Sequence, residues 1–518
     1  MNTSEFLNIA SLIVPERVAL VFEGRRFTYE EVAERVNKLA NALAGIGVGK
    51  GDRVAMIQVN CNEHVEAYFA SAKLDAVYVP LNFRLNKEEL ERVLKDSSPS
   101  VLISGMRYTE MIDQEVTRRG GLNRFVVLDG LVDGWLPYED LIDSASTEER
   151  LPESDGVDLT MLMFTAGTTG NPKGVMLSHG SFSSYILSNV NPVNLEHEEK
   201  NILAVPLYHI AGVQAMMAAI YGGRTLVIQK QFEPCEWMRL VEQEEVDRAM
   251  MVPTMLKMVL DHPGFPNHDL SSLSVITYGA ASMPLELIRR AINMFPDTRF
   301  INAFGQTETA ATITMLSPED HILEGSPEEM AIKISRLTSI GKPLEDVEVQ
   351  IVDENQEAVA EGDIGEIMAR GTRLMSGYWN QQEETAEALK DGWLHTGDLG
   401  YFDEDGYIFL SGRAKDFIKR GGEMISPEEV EQVIQAHPAV DEVAVIGVPD
   451  LHWGERVRAI VVNKPGCKVD ENDVIEYCRL RLSSFKKPES VIVVEELPRN
   501  PLGKVLKTVL KDQFTHPI

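Results

Sequence analysis

Cysteine is scarce: four occur in 518 residues, at Cys61, Cys235, Cys467 and Cys478. No two make a C-x-x-C pair and none sits with histidine at metal-ligand spacing, so reduced thiols are expected and a zinc site is not. No run of about 18 apolar residues occurs, and no transmembrane segment is expected. Residues Met1 to Ala19 lack the basic start and small-residue cleavage pattern of a secretory signal, which leads to the expectation of a cytoplasmic protein. Positive charge is also short. The 49 basic against 80 acidic residues leave a formal net charge of −31, which argues against neutralising nucleic acid or anionic lipid over the whole surface. Internal repeats and low-complexity segments are missing too.

What remains is a chain with 44% hydrophobic and 25% charged residues, too long for one core and expected to fold as two or more domains. Thr28 and Glu31 make a capping box, Phe27 and Val32 a hydrophobic staple, and Val32, Val36, Leu39, Ala40 and Leu43 follow helical spacing up to Gly45. Strand-like runs recur between helical patterns at Arg53 to Ile57, Leu159 to Phe164, Ile202 to Val205, Leu226 to Gln229, Val275 to Tyr278 and Arg299 to Ala303. This alternation predicts an α/β fold with largely parallel sheets. After Asp398 a hairpin is expected over Leu399 to Leu410, turning at Asp403-Glu404-Asp405-Gly406. Ser426, Pro427 and Glu429 then open a helix with Val430, Val433 and Ile434 on its apolar face. Strand candidates at Val443 to Val448, Val457 to Val462 and Val491 to Val494 complete a small α+β unit of about 100 residues. Charge is uneven: Arg479 to Lys511 holds 8 basic and 3 acidic residues. That stretch suits a small phosphorylated ligand or a solvated face equally well.

The chemistry enters at Thr165-Ala166-Gly167-Thr168-Thr169-Gly170-Asn171-Pro172-Lys173-Gly174, directly after the strand-like Leu159 to Phe164. Glycines let backbone N–H groups approach an anion, threonine hydroxyls add donors and Lys173 adds charge, as a polyphosphate requires. A P-loop NTPase is not expected, because Gly174 stands where a magnesium-binding Ser or Thr should follow the lysine, and Pro172 replaces a glycine.

This loop resembles the signature of the adenylate-forming superfamily, which includes acyl-CoA synthetases, peptide-synthetase adenylation domains and firefly-type luciferases. The resemblance runs over nearly the whole chain, in family order, through Pro206-Leu207-Tyr208-His209-Ile210-Ala211-Gly212, Tyr278-Gly279-Ala280-Ala281, Phe304-Gly305-Gln306-Thr307-Glu308, Thr396-Gly397-Asp398, Gly412-Arg413-Ala414-Lys415-Asp416 and Pro498-Arg499-Asn500-Pro501-Leu502-Gly503-Lys504. Two positions depart from the pattern: Ala166, where Ser or Thr is usual, and Met424, where many members carry Asn.

The resemblance implies a large N-terminal domain of α/β layers over residues 1–411, a hinge at 412–416 turning on Lys415, and a mobile C-terminal domain over 417–518. It implies ATP, Mg²⁺ and coenzyme A as the small molecules, with a carboxylic acid as substrate. Catalytic roles fall on Lys504, His209 and Thr307. Nucleotide contacts fall on Thr165, Gly167, Thr168, Thr169, Gly170, Lys173, Gly279, Ala280, Ala281, Phe304, Gly305, Asp398, Arg413 and Lys504. Glu308 would hold the metal, as suits a hard cation bound by one or two carboxylates and phosphate oxygens. Gly421, Gly422, Phe485 and Lys487 would contact CoA. His209, Val213, Val252, Gly279, Ala280, Gly305 and Ala310 would line the acid pocket, a mix that suits a medium-chain fatty acid and an aryl acid equally.

The expected reaction is ATP-dependent formation of an acyl-AMP followed by thioester formation with CoA. Three alternatives stay open: a luciferase-like oxygenase, an adenylating module serving a separate carrier protein, and a nucleotide-binding relic. The first lacks the Ser-Lys-Leu ending of insect luciferases at Thr515 to Ile518. The second expects no fused carrier, since 14 residues follow Lys504. The third fits poorly with both lysines and Glu308 in place. A homodimer is the default expectation for assembly.

Overall fold

Val275–Gly279 reads Val-Ile-Thr-Tyr-Gly, a β-branched run with no polar face, and it lies between two parallel neighbours, Arg248–Met251 and Arg299–Gln306. Such strands are buried on both sides by helices. The computed structural model describes residues 1–112, 122, 124–165, 172–413, 416–420, 423–450, 453–499 and 505–515. Among these, one nine-stranded sheet runs Lys342–Pro343, Ala311–Leu316, Arg299–Gln306, Val275–Gly279, Arg248–Met251, Lys200–Leu203, Thr225–Ile228, Val18–Phe22 and Arg25–Thr28. Its six inner strands, from Arg299–Gln306 to Val18–Phe22, are parallel, and antiparallel strands close its edges. A second sheet of eight strands runs Gly377–Tyr378, Lys173–Ser178, Leu159–Thr165, Val77–Leu81, Arg53–Ile57, Val101–Ser104, Phe125–Val127 and Leu136–Pro137. It too is mainly parallel.

One core cluster takes Leu20, Phe22 and Leu226 from the first sheet and Val54, Met56 and Met161 from the second. Helices Asn62–Lys73 and Ile210–Tyr221 supply Val65, Tyr68, Val213 and Met217 to the same cluster. Both are buried around most of their circumference: Ile210–Tyr221 has no polar face, while Asn62–Lys73 buries Asn62, His64, Ser71 and Lys73 with hydrogen-bond partners. Tyr29–Gly45 covers the edge with the capping box read from the sequence: Thr28 Oγ1 accepts from the Glu31 N–H, and Glu31 accepts from the Thr28 N–H. Phe27 packs against the same core as buried Val32.

A five-stranded sheet follows, built from Glu348–Val352, Gly365–Arg370, Trp393–Phe402, Leu389–Lys390 and Ile408–Arg413. The expected hairpin is its last pair, turned by Asp403 Oδ1 accepting from the N–H groups of Asp405 and Tyr407. The remaining residues form a separate small unit with its own core, Ile418, Ile425, Val430, Ile434, Val445, Val457 and Val474 among others. Its helix Pro427–Gln435 starts where Ser426 Oγ accepts from Glu429 N–H. Its strands Val440–Asp450, Gly454–Asn463 and Ser490–Val494 extend the three runs read from the sequence. Where the two units meet, Lys257 Nζ donates to both carboxylate oxygens of Asp441 at 2.9 and 3.0 Å. Among the described residues no helix is long and apolar enough to cross a membrane.

Candidate functional site

The phosphate-loop signature bridges two antiparallel strands, Leu159–Thr165 and Lys173–Ser178, with Thr165 and Lys173 facing each other in register. Thr165 Oγ1 donates to the Lys173 carbonyl at 3.4 Å. Gly167, Thr168, Thr169 and Gly170 lie outside the described residues, as do Lys415, Gly421, Gly422 and Lys504. Strand Lys173–Ser178 pairs on its other side with Gly377–Tyr378. That pairing puts the Lys173 ammonium 4.7 Å from the centroid of the Tyr378 ring, where the quadrupole of the ring attracts it. The Tyr378 hydroxyl in turn donates to Glu308 Oε1 at 2.9 Å. One aromatic side chain thereby joins the lysine of the loop to the carboxylate expected to hold a metal. Sequence reasoning missed Tyr378, because the three residues are joined only by strand pairing across 70 and 205 positions; the aromatic pair Tyr378-Trp379 was the sole local hint.

Glu308 sits in the short 3-10 turn Thr307–Thr309, which ends the strand Arg299–Gln306. Gln306 and Thr309 cap the turn reciprocally, and the Glu308 carbonyl accepts from Met375 N–H at 2.8 Å. Its second carboxylate oxygen has no protein donor among the described residues. A half-buried carboxylate with one oxygen uncommitted suits a cation completed by phosphate oxygens. Among the described residues no three His, Cys, Asp or Glu side chains converge to form an all-protein metal cage.

The adjacent strand ends carry the small residues. Gly279 and Ala303 face each other in register, and a Cβ on Gly279 would stand 2.2 Å from the Ala303 carbonyl oxygen. At Gly305 a Cβ would stand 1.5 Å from the Ala311 carbonyl oxygen. Both glycines therefore permit close backbone approach; the space their missing side chains leave is filled by carbonyl groups rather than kept for a ligand. Ala280, Ala310 and Ala311 hold positive φ values of 64°, 49° and 92°. Left-handed backbone at non-glycine residues stores strain and concentrates at ligand sites. Ala280 and Ala281 follow the carboxyl end of a parallel strand, the edge at which open α/β sheets bind ligands. Phe304 lies on the next strand, half-buried against Ile340, Ile367 and Ala369.

Asp398 is buried and faces Arg413 in register across the final hairpin, so the two residues expected at the ribose are strand neighbours. Its own N–H donates to Thr396 Oγ1. His209 occupies the N-cap position of the apolar helix Ile210–Tyr221 without a side-chain capping bond, and Val213 lies one turn on, buried at 1% exposure. Burial, with a contribution from Arg84, pulls the His209 imidazole down to about 3, so it is neutral at ordinary pH. Val252 immediately precedes helix Pro253–Asp261 and is buried in the neighbouring cluster. Phe485 and Lys487 lie on the small unit, apart from these residues. Phe485 packs against the small core and its carbonyl accepts from Arg420 at 2.7 Å. Part of the basic stretch is paired: Lys486 with Glu429, Arg499 with Glu442, and Lys507 with Glu428 and Glu431.

Residues 13–379 match the model for the AMP-binding enzyme family, and residues 429–504 match its C-terminal domain. The chain is 35% identical over 501 residues to a feruloyl-CoA synthase of an Amycolatopsis species, covering 96% of each. It is 33% identical to a long-chain-fatty-acid–CoA ligase of Mycobacterium tuberculosis, covering 95% of this chain and 93% of that one. The ATP-bound crystal structure of MatB from Rhodopseudomonas palustris superposes with a TM-score of 0.89 at 29% identity, covering 99% of both chains. The chain belongs to the AMP-binding enzymes, the adenylate-forming group of acyl-CoA synthetases whose motifs its sequence carries.

Proposed function

We propose that this enzyme joins a carboxylic acid to AMP and then transfers the acyl group to the thiol of CoA. In the first step a carboxylate oxygen attacks the α-phosphorus of ATP, the bond to the β-phosphate oxygen breaks, and pyrophosphate leaves. In the second the CoA sulfur attacks the acyl carbon, AMP leaves, and the thiol proton passes to solvent. The observation that carries this reading is the Lys173–Tyr378–Glu308 connection, which brings a phosphate-binding cation and a metal-competent carboxylate to one side chain.

Two anions must meet in the first step, so the enzyme contributes charge and position. Lys173 balances the departing pyrophosphate, Asp398 and Arg413 hold the ribose, and Lys504 bridges the acid and the α-phosphate. Glu308 would hold Mg²⁺, which when bound neutralises phosphate charge. Neutral His209 stands at the mouth of the acid site and leaves the incoming carboxylate without a competing charge. Residues 412–416 act as the hinge between the two steps, and a cytoplasmic homodimer is the expected setting.

The test is a pyrophosphate-release screen over acids of graded length and aromaticity, with the thioester then sought by mass spectrometry after CoA is added. Pyrophosphate without thioester would move the acceptor to a separate carrier protein; light from a luciferin and oxygen would revive the oxygenase. No pyrophosphate from any acid would refute adenylation.

A further inference from the structure

The helix Ile210–Tyr221 reads Ile-Ala-Gly-Val-Gln-Ala-Met-Met-Ala-Ala-Ile-Tyr, and Gln214 is its one amide. Gln214 is 8% exposed and Thr312, its partner, 3%. Gln214 Oε1 accepts from Thr312 Oγ1 at 3.3 Å, while its Nε2 has no hydrogen-bond partner among the described residues. Twelve buried side-chain atoms share that condition among the described residues, and three of them fall between positions 208 and 214: Tyr208 Oη, His209 Nε2 and Gln214 Nε2. Two of these, His209 Nε2 and Gln214 Nε2, belong to the N-cap position and the first turns of this helix. Leaving an amide buried and half-paired is costly where leucine or methionine would pack without penalty.

The surroundings say what the amide faces. Val213 precedes it in the helix, and the hydrogen bond to Thr312 ties it to the strand Ala311–Leu316, which follows Ala310. Thr312 pairs across the strand with Gly305. Gln214 therefore lies among the residues expected at the acid pocket. Tyr208 belongs elsewhere, its ring edge-on to Phe83 at 5.2 Å within a different cluster.

We propose that Gln214 is a specificity residue, whose amide hydrogen-bonds an oxygen on the body of the acid, so that the preferred substrate is a hydroxylated carboxylic acid rather than a plain hydrocarbon one. This rests on the adenylating reading above. A hydroxyl both donates and accepts, so it satisfies the amide in either orientation of its oxygen and nitrogen. Thr312 holds the amide in place and leaves its other end to the ligand.

The experiment uses the full chain with ATP, Mg²⁺ and CoA, and compares acids of equal size in which a methyl replaces a hydroxyl: 4-hydroxyphenylacetate against 4-methylphenylacetate, and 8-hydroxyoctanoate against nonanoate. The wild type should favour the hydroxylated member of at least one pair by about ten-fold or more in kcat/KM. Gln214→Leu should abolish that preference and gain on the methyl acid, with the KM for ATP unchanged. Gln214→Met gives the same comparison should the leucine variant fail to fold. A wild type that favours neither hydroxylated acid, or a variant that keeps the wild-type ratio, overturns the assignment. Absence of pyrophosphate release with every acid tested is a separate outcome, which removes the adenylating reading and this inference with it.

Discussion

Single side chains here act through what they connect. Tyr378 offers one face to Lys173 and its hydroxyl to Glu308, so its removal should disturb both. A hydrogen bond to a charged acceptor contributes about 1.5–3 kcal/mol. Tyr378→Phe keeps the ring but frees the carboxylate, and should raise the Mg²⁺ concentration for half-maximal pyrophosphate release by about ten-fold. An unchanged Mg²⁺ titration would separate Glu308 from the metal. Lys504→Ala should lower acyl-AMP formation by at least about 100-fold, the scale of losing a positioned charge, yet spare CoA transfer from preformed acyl-AMP. Equal loss of both half-reactions would contradict a role confined to the first step. Lys173, Glu308 and Asp398 were legible as residues because motif order named them. Tyr378 was not, since no local spacing reports which strand will lie beside which.

At the scale of elements, the strand ends depend on backbone contact that tolerates no side chain. The Ala311 carbonyl that blocks a Cβ at Gly305 also accepts from Thr309 Oγ1 at 2.6 Å, so it cannot retreat without breaking that bond. Gly305→Ala should cost about 1–3 kcal/mol or more through overpacking, and should impair adenylation more than the loss of stability explains. Thermal unfolding and single-turnover acyl-AMP formation would measure the two effects; a fully stable, fully active variant would remove the close-contact account. At Gly279, likewise, an added Cβ would meet the Ala303 carbonyl oxygen at 2.2 Å. Composition shows that a residue is small; only the fold shows that a carbonyl group occupies the space.

The whole molecule carries histidines that folding keeps neutral. Burial pulls His64, His179 and His321 down to about 4, from an ordinary value near 6.5. His64 has both ring nitrogens engaged, by Tyr78 Oη and the Gln58 carbonyl. Because the folded value is depressed, the unfolded chain binds protons first. The stability is present above about pH 6.5 and is lost as pH falls toward 4, by about 1–2 kcal/mol for each such group at pH 5. The stability advantage of wild type over His64→Gln should accordingly shrink between pH 7 and pH 5 in urea titrations; a constant difference would exclude a buried neutral imidazole. Across the boundary of the two units, Lys257 and Asp441 form a partly exposed pair, worth less than about 1 kcal/mol. Lys257→Glu should change the ratio of the two half-reaction rates by no more than about five-fold, and adding Asp441→Lys should restore it. Failure of the double variant to recover would show that the pair does not bias the arrangement of the units.

By itself the sequence determined the chemistry and the layout of elements. Caps, β-branched runs and turn residues act over a few positions, and the ordered motifs identify an adenylate-forming enzyme without reference to any contact. Tertiary structure decided the rest. Strand pairing set Tyr378 between Lys173 and Glu308 and placed Asp398 opposite Arg413. Helix burial between two sheets left the amide nitrogen of Gln214 without a hydrogen-bond partner among the described residues. These depend on which surfaces meet after the chain has crossed itself many times, and that is fixed by the packing of the whole core rather than by any window of residues.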